Sequence, residues 1–428
     1  MDYRFYITYT KALLSKFRYL ILLASVGGAL SFIAFKFIYP AFFPETTVTG
    51  IVGQYRLDNL PEEVASKISQ GLVRVDETGS LIPQIAVSWK SENNAQSWIM
   101  EVNLQVNPKE LPMSLKGVKI SYPTKNSLRF ELQNSYVSFP YLLTKPLITK
   151  TGQVWGENRI VSVKTNRELV TNLLVEYKGG KRERFLFYPT NDLAFVALKM
   201  GRIDKLMNVG AIDQVQGFKN IRVTPVTINN QMVILFFNLQ SKVLSSKEIR
   251  GALNYGLDKN SFGKKRALTT IYPKGVYYNP SVKKYDFDIN KAKTILAENK
   301  AQIDTPLKIV TNPDLVGVAE KIRGDWEKLG LKAEVFVTTI TPVSFDAYVT
   351  TFSVPFDPDQ YPLWHSTQTD TNLSHYSNPR IDKLLEDGRV TENIESRKKL
   401  YFDFQRYFAE DCPAIPLYYL TRYNLERV

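Results

Sequence analysis

Strand and helix signals alternate along this chain, which predicts the α/β class. Three stretches carry the prediction. In the first, Lys308–Thr311 reads as a short apolar strand, and Leu315, Val318, Ala319, Ile322, Trp326 and Leu329 then recur at helical spacing. Gly330 ends that helix and Lys332–Val337 resumes as a strand, so the stretch is a β-α-β unit. In the second, Val233–Leu239 is an apolar strand, followed by a helix that Ser246 caps and whose Ile249, Ala252, Leu253 and Leu257 share one face. Leu253 and Leu257 are expected in a core, Lys247 and Lys259 in solvent. In the third, Phe185–Pro189 gives a strand and Ala194 and Leu198 a helix, before Gly201, Ile203 and Asp204.

A chain of 428 residues can bury a large core and suggests two or three domains. Its 44% hydrophobic and 23% charged residues are those of a globular protein. The single cysteine, Cys412, excludes an intramolecular disulfide framework and a Cys-based zinc site. It reads as a small buried hydrophobe. It also stands far from the N-terminal apolar segment, where a lipoprotein anchor would need it.

That segment runs uncharged from Tyr19 to Phe35, is interrupted by Lys36, and continues to Tyr39. About 20 helical residues cross a bilayer core. Arg4, Lys11, Lys16 and Arg18 precede it against Asp2 alone, whereas Arg56 is the only basic residue on the far side up to Leu60. This asymmetry predicts a cytoplasmic basic tail (1–18), an uncleaved single-pass anchor in the cell membrane (19–39), a Pro40- and Pro44-stiffened linker (40–49), and an extracytoplasmic remainder. A cleaved signal peptide, with Ala29 and Ser31 as its small pair, is the rival reading. The net charge is +13. Lys264-Lys265-Arg266, Lys283-Lys284 and Arg397-Lys398-Lys399 read as solvated runs, with attraction to an anionic membrane surface or acidic wall polymers as the functional alternative. No helix-turn-helix, zinc-finger spacing or RNA-binding motif points to nucleic acid as a partner.

In the remainder, Ile51–Tyr55 reads as a first strand. Pro61 to Gly71 reads as a helix with Glu62 and Glu63 in its first turn. Val118, Ile120, Tyr122 and then Leu128, Phe130, Leu132 alternate as half-buried strands around Lys125-Asn126.

Several motifs together resemble the peptide/nickel-type extracytoplasmic solute-binding proteins of ABC importers, solute-binding family 5. The most specific is Arg250, Ala252, Leu253, Asn254, Tyr255 and Asp258 after Phe237-Asn238. Others are Gly71-Leu72-Val73 with Ser88-Trp89, Gly201-x-Ile203-Asp204, Asp357-Pro358-Asp359, Tyr376-Ser377-Asn378-Pro379 and Ile415-Pro416-Leu417-Tyr418. The resemblance covers about residues 50–420. It implies a two-lobe hinged periplasmic-binding-protein fold of mixed sheets flanked by helices, preceded here by one transmembrane helix. Lobe I is expected at 50–236, lobe II at 237–415, and an abbreviated return to lobe I at 416–428. Asn107–Leu115 is short and lacks the family's Thr-Ala-Glu-Asp-Val helix, and Thr151–Trp155 stands where a Gly-Thr-Gly-Pro-Tyr element belongs, so the small subdomain is reduced.

The implied function is a receptor that captures a small peptide-like or other oligomeric nutrient and delivers it to an ABC permease, without enzymatic activity or cofactor. The implied solute contacts are Tyr55, Phe237, Asn238, Thr351, Val354, Phe356, Asp357 and Trp364. Peptide-binding members commonly hold the peptide α-ammonium with an aspartate three residues before the Asp-Pro pair. Val354 stands there and cannot. A membrane-tethered interaction or sensing protein with a degenerate solute site is the alternative from another class.

Read without the resemblance, Asp357-Pro358-Asp359 is a turn whose aspartate caps the next helix, with solute contact as the rival reading. Phe352, Phe356, Tyr361, Trp364 and Tyr376 form an aromatic band, either core or cavity wall. His365 and His375 lack partners at ligand spacing, so a metal site, nickel included, gains no support. Serine-nucleophile motifs, P-loops and dinucleotide fingerprints are absent from the sequence.

Overall fold

Thr46–Val52 forms the first strand of the computed structural model, which describes residues 3–33, 46–299 and 305–428. It begins inside the stretch read as linker and ends before Gly53 (φ +126°). Parallel pairing with Arg182–Tyr188 sets its extent, from Thr46↔Arg182 to Val52↔Tyr188. Ahead of it one helix covers Tyr3–Ile33. The far end of the apolar segment, 34–39, lies outside the described residues. Among the described residues no helix is long and apolar enough to cross a membrane.

The chain divides into two units. The first comprises 1–56, 157–206 and Arg427. Its sheet places Arg159–Asn166 beside Leu169–Glu176, then Arg182–Tyr188, then Thr46–Val52, with Lys205 and Leu206 pairing Thr49 and Gly50. The Asn191–Lys199 helix connects the strands, capped by the Thr190 hydroxyl and burying Ala194, Phe195, Ala197 and Leu198.

The second unit comprises 57–156, 207–426 and Val428. Its centre is the predicted β-α-β unit. Leu307–Thr311 pairs in parallel with Ala333–Val337 and with Ala347–Ser353, and the latter pairs antiparallel with Ile221–Phe237. The Val316–Glu327 helix links the first two strands, and Gly330, with φ +87°, turns the chain after it. Alternation then splits the apolar residues between two faces. Val233, Leu235 and Phe237 join Ala347 and Val349 under the Lys247–Tyr255 and Val316–Glu327 helices, with Trp326 fully buried among them. Met232, Ile234 and Phe236 join Tyr348 and Phe352 on the other face, under the Pro379–Val390 and Ile394–Asp411 helices. A buried side chain of this size contributes about 1.5–3 kcal/mol by leaving water. Residues 86–131 form a separate antiparallel sheet of four strands around Phe130, Phe139, Trp98 and Met100.

Two charge assignments are corrected. Lys259 is buried, not solvated: its ammonium donates to the Asn254 carbonyl (2.7 Å), the Asn254 side-chain oxygen (2.9 Å) and the Leu257 carbonyl (3.2 Å). It thereby satisfies carbonyls that the end of the Lys247–Tyr255 helix leaves open. Arg397 is 3% exposed although it opens a basic run; Asn393 caps its helix, and Arg397 sits in the turn that faces inward.

Candidate functional site

The end of the Ala347–Ser353 strand, the loop that leaves it and the short Tyr361–Trp364 helix carry five of the eight residues expected to meet a solute. Thr351 sits opposite Val233 and is exposed. Val354 donates its N–H to the Asn230 carbonyl at 2.8 Å and buries its side chain. Asp357-Pro358-Asp359 then turns. Asp357 Oδ1 accepts from the Asp359 N–H at 2.9 Å, and Asp359 Oδ1 from the Tyr361 N–H at 3.1 Å, where the short Tyr361–Trp364 helix begins.

Asp357 is the hub of a buried cluster. Arg397 Nη1 and Nη2 donate to its two oxygens at 2.7 and 2.8 Å, a bidentate pair. The Ser138 hydroxyl donates to Asp357 Oδ1 at 2.5 Å and accepts from Arg397 Nη2 at 2.8 Å. Arg397 Nε reaches the Gly388 carbonyl at 2.8 Å, and the rings of Tyr277 and Tyr401 each lie 5.2 Å from its guanidinium. Burial works against the Arg397 charge, but the Asp357 carboxylate outweighs it and holds the guanidinium well above the ordinary arginine value. Next to it, burial pushes the Asp359 carboxyl up, opposed by Arg389 at 3.3 Å. Arg389 is sandwiched between the rings of Tyr136 (4.9 Å) and Tyr361 (4.6 Å), beside an open groove of about 430 Å³. Every donor and acceptor in the trio of Ser138, Asp357 and Arg397 that this geometry shows is turned toward the protein itself.

The aromatic residues separate. Phe356 meets Tyr272 edge to face at 4.9 Å, and the Asp76–Gly79 turn lies over both. Gly79 has φ +84°, and a Cβ there would stand 3.4 Å from the Tyr272 ring. The Tyr141 hydroxyl fixes this turn by donating to the Gly79 carbonyl at 2.8 Å. Trp364 is fully buried between Phe236 (5.5 Å) and Phe408 (4.6 Å), with its N–H on Gln360 Oε1 at 2.8 Å. Phe237 stacks on Trp326 on the opposite face of the sheet. Asn238 spends its side chain on the Phe345 carbonyl and the Gln240 N–H, each at 3.0 Å. Tyr55 belongs to the first unit, edge-on to Phe187 at 5.9 Å with its hydroxyl on the Val52 carbonyl.

His365 is buried, stacked on Tyr361 at 4.1 Å and in contact with Thr367 and Glu386. Among the described residues no group of three or more His, Cys, Asp or Glu side chains is placed to hold a metal ion. Ser138 and Arg397 were missed from the sequence. No local signal pointed to them, because they lie 219 and 40 residues from Asp357 along the chain and the burial of the turn shows only in the fold.

A family model described as bacterial extracellular solute-binding proteins, family 5 (middle), matches residues 88–372. The chain belongs to that family. It is 26% identical over 273 residues to the oligopeptide-binding protein AppA of Bacillus subtilis, covering 54% of this chain and 49% of AppA. With heme-binding protein A of Haemophilus influenzae it is 28% identical over 213 residues, 42% of this chain and 38% of the relative. The chain thus spans about half the length of the curated relatives it matches, or less. A solved structure described as a nickel ABC transporter from Bacillus halodurans superimposes with a TM-score of 0.74 at 17% identity, over 90% of this chain and 95% of that one. The periplasmic-binding-protein fold, α/β with mixed sheet and helices, is therefore established.

Proposed function

We propose that this protein is an extracytoplasmic solute-binding receptor that captures a peptide-like or other oligomeric nutrient and presents it to an ABC permease. The observation that carries this reading is family membership across residues 88–372, together with a fold that aligns over nine-tenths of the chain. The relatives' names, oligopeptide-binding and heme-binding, favour an organic solute. Val354 makes the wall apolar where peptide binders of the family commonly place an anion, which favours a solute without an obligatory free ammonium. Phe356, half-buried, is the aromatic surface assigned to it, since Trp364 is fully buried in the core. The four basic residues ahead of the apolar run from Tyr19 support a membrane tether with the rest of the chain outside.

Thermal-shift screening of the full chain against peptides, heme, sugars and metal ions tests the receptor reading. A solute bound only by the folded state raises the melting temperature. If no class of solute shifts it, the alternative takes over: a tethered interaction or sensing protein that keeps the fold. That alternative is favoured by the self-satisfied trio of Ser138, Asp357 and Arg397, which offers a solute no unpaired group.

A further inference from the structure

The edge of the first unit at which Thr46 emerges gathers a set of cations, none of them among the residues expected to meet a solute. Thr46 pairs with Arg182, so the start of the Arg182–Tyr188 strand and the turn before it lie at that edge. Gly179 (φ +92°) and Gly180 (φ +83°) let the turn reverse, leaving Lys178 and Lys181 exposed at its tip. The Asn191–Lys199 helix runs back to the same edge. Asp204 takes the Val48 N–H at 2.7 Å, Arg427 bonds both the Asp204 and Leu198 carbonyls, and Lys205 pairs with Thr49. Exposed Arg202 and Met200, the latter 63% exposed, therefore join Lys178 and Lys181 there.

Among the described residues, the carboxylates placed at this edge are engaged by the protein's own donors. Glu183 accepts from the hydroxyls of Thr49 and Tyr177, Asp204 from the Val48 N–H. Glu176 lies between Arg159 and Arg182, and Glu157 meets Lys178. Arg184, Lys199 and Lys205 add further positive charge, so among the described residues at this edge cations outnumber carboxylates.

We propose that this edge is a docking surface for anionic lipid headgroups of the membrane from which the chain is tethered. The inference rests on the tether reading above. Twelve residues separate Ile33 from Thr46, a reach of at most about 45 Å. Attraction between the basic edge and an anionic leaflet then acts within the volume the tether already allows. Met200 and Val196, half or more exposed on one side of the helix, supply an apolar contact at the headgroup boundary.

Lysine acetylation footprinting of the full chain, reconstituted in nanodiscs, tests this. Lys178 and Lys181 should react at least about fivefold more slowly in phosphatidylglycerol-containing discs than in phosphatidylcholine discs, with the difference lost in 1 M salt, where screening reaches about 3 Å. Lys247, in the second unit, should react alike in both. K181E/R202E should abolish the protection while Lys247 stays unchanged. Equal reactivity of Lys178 and Lys181 in the two discs overturns the proposal. So does protection by a soluble poly(glycerol phosphate) polymer with none from anionic discs, which would assign the edge to a wall polymer. Alkaline carbonate extraction of the discs reports the tether separately. If the chain is extracted, co-sedimentation with phosphatidylglycerol vesicles still decides the surface: sedimentation lost in K181E/R202E supports it, and no sedimentation of wild type refutes it.

Discussion

Replacing Arg397 by leucine removes the guanidinium and leaves the Asp357 carboxylate in a buried site. Asp357 now has four donors: two from Arg397, the Ser138 hydroxyl and the Asp359 N–H. The substitution removes both charge-assisted bonds, each worth about 1.5–3 kcal/mol. It also strands the Gly388 carbonyl that Arg397 Nε bonds at 2.8 Å. Breaking a buried pair from one side typically costs about 3–5 kcal/mol. Arg397→Leu is therefore expected to destabilise by about 3–5 kcal/mol. Asp357→Leu should cost a similar amount, because it strands the opposite charge. The double variant should cost clearly less than the sum, since it leaves no unpaired charge behind. Urea unfolding followed by tryptophan fluorescence reads this directly, because Trp364 lies in the core of the same unit. Ser138→Ala offers an internal comparison and should cost about 1–3 kcal/mol. An Arg397→Leu effect below about 1 kcal/mol, or additive single effects, would show that the pair is not the buried, coupled unit the distances describe.

Three further outcomes are expected. Leu253 is fully buried in the cluster around Trp326, so Leu253→Ala should cost about 2–5 kcal/mol in the same unfolding experiment. Val354 is 2% exposed, so Val354→Asp buries a carboxylate without a partner; calorimetric titration should show weaker binding of the native solute, and undiminished binding of free dipeptides by both forms would contradict the apolar-wall reading. Asp325 is buried, which by itself raises its pKa, but Lys328 at 2.8 Å and Lys321 at 3.0 Å outweigh burial and hold it below the ordinary value of 3.8. A carboxyl depressed in the folded state contributes stability that is present above pH 3.8 and is lost as pH falls through its folded value. Asp325→Asn should therefore destabilise at neutral pH, with a gap to wild type that narrows in acid, as read by urea midpoints across pH 2–7.

What the sequence determined by itself is local and periodic. The β-α-β unit was legible because Leu315, Ala319, Ile322 and Trp326 repeat at the helical period between two short apolar runs, and Gly330 supplies the positive φ that ends the helix. The family was legible for a related reason: Arg250, Leu253, Asn254 and Tyr255 serve one helix, so their order survives in the chain. Tertiary structure alone decided the charges. Arg397-Lys398-Lys399 reads as three equivalent cations, yet Arg397 is buried on Asp357 and Ser138, partners 40 and 259 residues away. Lys259 reads as a surface lysine after a helix, yet it folds back onto the carbonyls that the helix leaves open. The start of the first strand was likewise set by pairing with Arg182–Tyr188, far along the chain. A periodic pattern records which face of an element is apolar. It carries no record of which distant group will meet a charge once that face is covered, because that meeting depends on how the elements assemble.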